Sequence, residues 1–307
     1  MTLPPSSVIV CSRNRPRYLL ETVESVLRGG ERPTEIVIVD QSDAPHPTLG
    51  AIGSRGGCAI RYLHSGERGV SRARNAGMRA AATGLLVYTD DDVFVHHDWL
   101  SPMVRGLVEL GPRGVVTGRV LAAPEEVPGA FAPALVASEA TAEYVGRVAR
   151  DVLEAGNMGV YRATLLELGG FDEELGPGTS YPAGEDNDMG YRLLATGCRI
   201  RYVPEGIIYH RAWRGPEEYL PLRWRYGLGQ GAYYGKHLWN GGGYMAGRLG
   251  RLLRHHLWLS IRRVREPKAA AGHLVYLGGV LTGLGRRLGP RWSRRAARSE
   301  PSGQLPT

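Results

Sequence analysis

Three consecutive carboxylates, Asp90, Asp91 and Asp92, follow directly on the apolar run Leu85-Leu86-Val87-Tyr88. Adjacent carboxylates repel, so a fold that gathers three of them needs a cation or a cluster of donors close by. On extended backbone Asp90 and Asp92 point to the same side. Oxygen ligands of this kind suit Mg2+ or Mn2+, ions commonly completed by a substrate's phosphates. A solvated acidic turn is the alternative, and the position at the end of a buried strand weighs towards the metal. A second pair, Glu185 and Asp186, follows Gly184 and opens a helical pattern. A carboxylate in the first helical turn is held ionised by the helix dipole. It is either a simple cap or a general base, and a base of low pKa works when the attacking hydroxyl gives up its proton late. His210 ends a short apolar run, where an imidazole is either an ordinary surface residue or a metal ligand. Finally, Gly69-Val70-Ser71-Arg72-Ala73-Arg74-Asn75-Ala76-Gly77 sets two arginines at a helix start, a place suited to an anion.

The surrounding pattern says what positions these groups. Val8 to Cys11 and Glu35 to Asp40 read as strands buried on both faces, with an amphipathic helix from Pro16 to Leu27 between them. Strand, helix and strand in so short a span read as a parallel βαβ unit. A strand at Ile60–Leu63, a helix from Val70 to Ala82 and a strand at Leu85–Tyr88 continue the alternation. Asp98 is the expected N-cap of a helix from Trp99 to Leu110. Such alternation predicts a doubly wound sheet with its ligands at the carboxyl ends of the strands, where Asp40 and Asp90 to Asp92 fall. Residues 122–150 read as a variable loop. Order is expected to return at Gly156, with helices at Ala163–Leu168 and Asp186–Thr196 and two short strands at Ile200–Val203 and Ile207–Tyr209.

Composition narrows the class. The chain has 307 residues, 43% of them hydrophobic and 22% charged, ordinary for one large or two small globular domains. No apolar run reaches the roughly 18 residues a membrane-spanning helix needs, and the N-terminus shows no secretory signal pattern. Cys11, Cys58 and Cys198 are too scattered for a zinc site or a disulfide framework. The default location is the cytoplasm. The net charge of +8 is divided unevenly: residues 1–210 sum to −6 and residues 211–307 to +14. A nucleic-acid binder would explain the basic third but not acidic strand ends that repel phosphate, so no nucleic acid is expected. A nicotinamide-dependent oxidoreductase requires GxGxxG after the first strand, where this chain reads Ser12-Arg13-Asn14-Arg15-Pro16.

Taken in order, six segments resemble those of the family 2 glycosyltransferases, which have the GT-A fold. VIVCSRNRPRYL resembles the strand and loop that open the nucleotide pocket, and EIVIVDQSD the second strand with its terminal acid. GVSRARNAGMRAA resembles the nucleotide-side helix and TDDDV the DXD motif. GNMGVYRATLLELGGFDEELG resembles the acceptor-side signature, and GEDNDMGYRLLATGCRIRYVPEGIIYH the segment from the catalytic acid pair to the histidine. The resemblance, which covers roughly residues 7–212, implies an α/β, GT-A type, doubly wound and mostly parallel sheet with helices on both faces; the aromatic and basic composition and the amphipathic patterns beyond it add a basic helical C-terminal extension. The resemblance implies a catalytic domain over 1–212, with a nucleotide-sugar half at about 1–120 and an acceptor half at about 121–212. An extension over 213–292 and a disordered tail over 293–307 follow.

By the same resemblance, Asp90, Asp92 and His210 would hold a divalent metal, Mg2+ or Mn2+. Ser12, Arg13, Asp40, Arg74, Asn75, Asp90 and Asp91 would contact the nucleotide-diphosphate sugar. Asp186, with Glu185 as the second candidate, would deprotonate an acceptor hydroxyl, and the single displacement would invert the anomeric centre. The acceptor would be a sugar, a lipid-linked molecule or a small molecule, in cell-surface polysaccharide or glycoconjugate assembly or in natural-product modification. A GT-A-fold binding protein without activity is the alternative, and it would be expected to lose Asp92, Asp186 or His210, all of which are present. Two departures stand out. The second strand reads Asp40-Gln41-Ser42-Asp43 where DDGS is common. Processive members carry QxxRW, whereas here Arg223-Trp224 is preceded by Leu220 at the glutamine position, which points to transfer of single sugars. Between Arg248 and Arg265, arginines interleave with leucines, Trp258 and Ile261. That pattern fits either a peripheral helix on an anionic membrane, at the inner face of the cell membrane, or helices packed on the catalytic domain.

Overall fold

A computed structural model describes residues 3–299, and side chains up to residue 289. The chain forms two compact units. The first comprises Met1–Thr179 and Glu185–Glu218; the second comprises Ser180–Gly184 and the chain from Tyr219 onward.

The first unit is built on one mixed sheet of ten strands: β1 (Ser6–Ser12), β2 (Glu35–Asp40), β3 (Ser54–Arg55), β4 (Cys58–His64), β5 (Leu85–Asp90), β6 (Val93–Val95), β7 (Gly114–Ala122), β8 (Ala142–Val145), β9 (Asn157–Tyr161) and β10 (Arg199–His210). The order is β3-β4-β2-β1-β5-β9-β7-β10-β6, with β8 on β10. The long pairings β4-β2-β1-β5 and β7-β10 are parallel, and β9 runs antiparallel between β5 and β7. Alternate residues of β1 feed two cores. Val8 and Val10 face one side with Leu19, Val23 and Val26 of α1 (Pro16–Leu27) and Met103, Val104 and Leu107 of α3 (Leu100–Leu110). Ile9 faces the other side with Ala73 and Met78 of α2 (Val70–Ala80) and Met189 and Leu193 of α5 (Glu185–Ala195). Helices therefore cover both faces, each burying one apolar stripe. A short α4 (Arg162–Glu167) follows β9.

Register places the carboxyl ends side by side. Ser12 pairs with Asp40 across β1 and β2, Cys11 with Asp90 across β1 and β5, and His210 with Val93 across β10 and β6. Asn157 opens β9 opposite Thr89 and is wholly buried. It accepts a bond from Trp99 Nε1 at 2.9 Å and donates to the carbonyls of Arg119 and Gly206 at 3.1 and 2.8 Å, tying β9 to α3, β7 and β10.

Several expectations are corrected. The strands β7 and β9 were not foreseen. The loop at 122–150 contains β8 and bridges to Val120 and Arg214. The two strands expected after residue 199 are one strand, whose register shifts between Val203 and Ile207, so that Pro204 sits in the irregularity rather than ending the pairing. Asp98 is not a cap. The cap position is Trp99, which has helical dihedrals and no side-chain cap bond because its ring is drawn into the core.

The second unit is a pair of helices, α6 (Tyr219–Arg262) and α7 (Pro267–Ser299). Helix α6 is interrupted at Gly242 (φ 53°, ψ −141°). The helix thus begins in the aromatic and basic segment and extends well before residue 248. Helix α7 runs past residue 293, where disorder was expected. Its Arg- and Ala-rich end carries good helix formers and no glycine or proline after Pro290. Residues 300–307 lie outside the described residues. The two helices meet along a glycine seam. A Cβ on Gly227 would overlap the carbonyl oxygen of Tyr276, and one on Gly231 that of Val280; one on Gly283 would overlap that of Leu228. Small residues four apart let the two backbones touch. Among the described residues no helix is long and apolar enough to cross a membrane.

Candidate active site

Ligand atoms of Asp90, Asp92 and His210 lie within 4.8 Å of one another at the carboxyl edge of the sheet. Asp90 ends β5, His210 ends β10, and Asp92 sits in the turn between β5 and β6. Thr22 of α1, fully buried, bonds the carbonyls of Asp91 and Val93 at 2.8 Å each and so fixes this turn from below. His210 Nε2 is 3.2 Å from Asp92 Oδ1, and Arg15 Nη1 is 2.6 Å from Asp92 Oδ2. Burial opposes ionisation of Asp92, but the bonds and charges of His210 and Arg15 hold its carboxyl well below the usual range. Burial also opposes protonation of His210, and Asp92 outweighs it, raising the imidazole. Two carboxylates and an imidazole are a donor set that suits a divalent cation: at about 2.0–2.2 Å per bond, its ligand atoms stand no more than roughly 4.4 Å apart, and the three groups lie within 4.8 Å of one another.

Asp91 turns to other partners. Ser12 Oγ donates to it at 2.7 Å and Arg15 pairs with it at 3.2 Å. Burial pushes its carboxyl up to about 7 despite Arg15, with the Asp92 charge adding to the rise. Asp40 is buried and accepts from the Ser42 N–H (2.9 Å), the Ser42 hydroxyl and the Tyr62 hydroxyl (2.6 Å). Tyr62 in turn is pushed up to about 12, by burial first and by Asp40 second. Beside them, Gln41 makes a two-bond contact to the backbone of Gly69 at 3.1 Å each way, pinning the start of α2.

Arg74 of α2, itself buried, joins the two acidic groups. It lies 3.3 Å from Asp90, 3.2 Å from Asp186 and 3.6 Å from Glu185. The expectation that the helix dipole holds Asp186 low is overturned. Burial raises its pKa, and the nearby Asp90 charge adds to this. Arg74, the Ala155 backbone and the Glu154 carboxyl pull the other way without winning. Glu154 is also raised well above its ordinary value by burial, with the charges of Asp186 and Asp90 next, and it is hydrogen-bonded to Asp186. Glu185 is raised to about 8 by burial and by Asp186. The side chain of Asp186 is 21% exposed against 11% for Glu185, which puts Asp186 on the open side of the pair.

The structure therefore brings Ser12, Arg74, Asp90, Asp91, Asp92, Glu185, Asp186 and His210 into one connected network. Asn75 does not join it. Its amide is committed to the backbone of Phe171 (2.8 and 2.9 Å) and to Glu173 (3.0 Å), which fasten α2 to the loop after α4. Arg13 is half-buried, and its Nε is buried without a hydrogen-bond partner. Sequence reasoning missed Arg15 and Glu154. Arg15 shares a short loop with Arg13, and only the loop geometry, with Asn14 at φ 56°, decides which arginine meets the carboxylates.

The model of glycosyl transferase family 2 matches residues 7–160, half of the chain. The chain belongs to this family. A pre-mycofactocin glycosyltransferase of Mycobacterium tuberculosis is 29% identical over 222 residues, covering 66% of this chain and 42% of that relative, so the chain spans less than half of that protein's length. A glucosyl-dolichyl phosphate glucuronosyltransferase of Haloferax volcanii is 27% identical, covering 67% and 68%. Among solved structures, a mannosyltransferase from Pyrobaculum calidifontis in complex with GDP-Man and Mn2+ superposes with a TM-score of 0.61 at 18% identity, covering 98% of this chain and 89% of that one. Family 2 membership and this likeness establish the GT-A fold of the sheet.

Proposed function

We propose that the chain transfers one sugar from a nucleotide-diphosphate sugar to an acceptor hydroxyl, inverting the anomeric centre. The observation that carries this is Arg74, which ties the carboxylate of the metal cluster, Asp90, to the acid pair Glu185 and Asp186. The candidate cation site and the candidate base are thus linked through a single guanidinium. Asp90, Asp92 and His210 would hold Mg2+ or Mn2+, which when bound offsets negative charge on the departing diphosphate. Arg15 and Arg13 line the first loop and supply positive charge for the nucleotide's phosphates; the unpartnered Nε of Arg13 is a donor in waiting. Asp40, locked by Ser42 and Tyr62, offers a fixed acid to the ribose or base. Asp186 takes the acceptor's proton. Its raised pKa brings it nearer the operating range of a general base than an ordinary aspartate. The first unit is the catalytic body in this reading, and the leucine at the QxxRW glutamine position supports transfer of single sugars.

The pre-mycofactocin glycosyltransferase and the glucosyl-dolichyl phosphate glucuronosyltransferase among the relatives suggest two acceptor classes, a mycofactocin precursor and a dolichyl-phosphate-linked glucose. The experiment is a panel of uridine and guanosine diphosphate sugars, with and without Mn2+, followed by transfer to acceptors of each class and NMR assignment of the product's anomeric configuration. Mn2+-dependent donor binding and an inverted product are expected. A retained configuration would overturn the single displacement, and donor binding indifferent to chelator would overturn the metal assignment.

A further inference from the structure

We propose that the solvent face of the second half of α6 is a docking surface for an anionic lipid bilayer. Arg254, Leu257, Trp258, Ile261 and Arg262 recur at i, i+3, i+4, i+7 and i+8, so they share one side of the helix, and Arg265 follows in the turn after it. That side is open. Leu257 is 52% exposed, Trp258 49% and Ile261 68%, and Val264 beside them is 71% exposed. The other side of the same segment is turned inward, with Arg248, Leu249 and Ser260 all buried, so the exposure is not that of a frayed end. The arrangement is ordered: the Arg262 guanidinium lies 4.9 Å over the Trp258 ring, and His255 stacks against the same ring.

Charge chooses the occupant. Residues 248–265 carry six arginines and no acid, within a C-terminal third of net charge +14. A second copy of the chain would set these arginines against one another. A nucleic acid would satisfy them but leave Ile261 and Val264 in water. An anionic bilayer takes both: headgroups pair with the guanidinium groups while the aliphatic side chains and the indole enter the boundary below them, and long arginine stems reach back to the charged layer. The surface involves none of the residues assigned to catalysis, so the proposal stands or falls independently of the reaction.

The test is co-sedimentation of the full chain with vesicles of phosphatidylcholine alone and of phosphatidylcholine with phosphatidylglycerol, across a salt series. Binding to the anionic vesicles should exceed that to the neutral ones by at least about tenfold at low salt, given several arginines each attracted to the surface. It should fall as salt rises, because the Debye length shrinks to about 3 Å at 1 M. Ile261→Glu with Val264→Glu should abolish it; Arg254→Ala with Arg262→Ala should weaken it and flatten the salt dependence. All four positions are exposed, and a thermal melt checks that the fold is unchanged. The proposal is overturned by equal or negligible binding to both vesicles, by anionic binding that survives Ile261→Glu with Val264→Glu, or by a concentration-dependent dimer that the same variant dissolves.

Discussion

Gly156 precedes β9, and a Cβ placed there would overlap Asp90 Oδ2 and stand 2.9 Å from Asp90 Cγ. Its φ is not positive, so alanine is allowed by the backbone and the clash is the whole effect. Ordinary carbon–carbon contact begins near 3.5 Å, so the Asp90 carboxyl must retreat by roughly 0.6–1 Å. It cannot do so freely, because Arg74 holds its Oδ1 at 3.3 Å. Gly156→Ala therefore keeps every candidate ligand but misplaces one of three. Misplacement on this scale commonly lowers metal affinity by about 10–100-fold, or roughly 1.4–2.7 kcal/mol. The assay is calorimetric titration of Mn2+ in the presence of a nucleoside diphosphate, beside a thermal melt. Affinity should fall by that factor while the midpoint changes by a few degrees at most, and Asp90→Ala should add little once Gly156→Ala is present. Full Mn2+ affinity in Gly156→Ala would refute the reasoning, since it would mean that Asp90 is not a ligand or that its position does not matter.

Asp186→Asn should leave donor binding intact and reduce transfer by at least about 10²-fold, the usual scale for losing a general base; near-normal transfer would pass the role to Glu185. Asp92→Ala should remove Mn2+ dependence of donor binding, measured by the same titration. Gly231→Ala, whose Cβ would overlap the Val280 carbonyl and lie 2.8 Å from Leu284 N, should cost about 3 kcal/mol or more in unfolding of the second unit, because backbone rather than a flexible side chain must yield. His256 is pushed down to about 4, by burial first and then by Arg223, His273 and His255. A depressed histidine contributes stability that is present above its unfolded value near 6.5 and is lost as pH falls towards the folded value. The second unit should therefore weaken between about pH 6.5 and 4, by about 1–2 kcal/mol once solvent screening of the half-buried ring is allowed for, and His256→Gln should flatten that slope in denaturation followed at several pH values.

The strands that present the site were legible because each is a short apolar run ending in a polar or acidic residue: β1, β2 and β5 read directly as buried strands. The strand β7 escaped because Thr117, Gly118 and Arg119 break its apolar pattern. Gly118 is there to make room, since a Cβ would overlap Asn157 and the Gly206 carbonyl, a reason that exists only across the sheet. The strand β9 escaped for the same kind of reason, its Gly159 leaving space for Val116. Asp90, Asp92 and Asp186 stood out as candidates because carboxylates at strand ends and a helix start are costly without a use, and His210 joined them through the resemblance to the family. Glu154 carries no such local mark, being one acid in a loop, and its pairing with Asp186 is purely tertiary. The direction of the Asp186 shift was misjudged because a helix dipole can be read from sequence, whereas burial and the proximity of Asp90 cannot.

The glycine seam of the second unit also orders the way the chain becomes structured. Glycine costs about 1 kcal/mol against alanine in a helix, so the glycine-rich α6 is a poor helix by itself and depends on the surface of α7. Its partners Val280 and Gly283 lie about fifty residues beyond Gly231, which at about 5–20 residues per second is roughly 3–10 s of synthesis. During that interval the ten strands have all emerged while α6 waits as an aromatic, basic and largely unstructured ribbon. A chain cut between α6 and α7 would keep that ribbon permanently. Deletion mapping of the C-terminal region would then report the behaviour of an unfolded segment rather than that of one helix without the other, and point substitutions are the sounder way to dissect it.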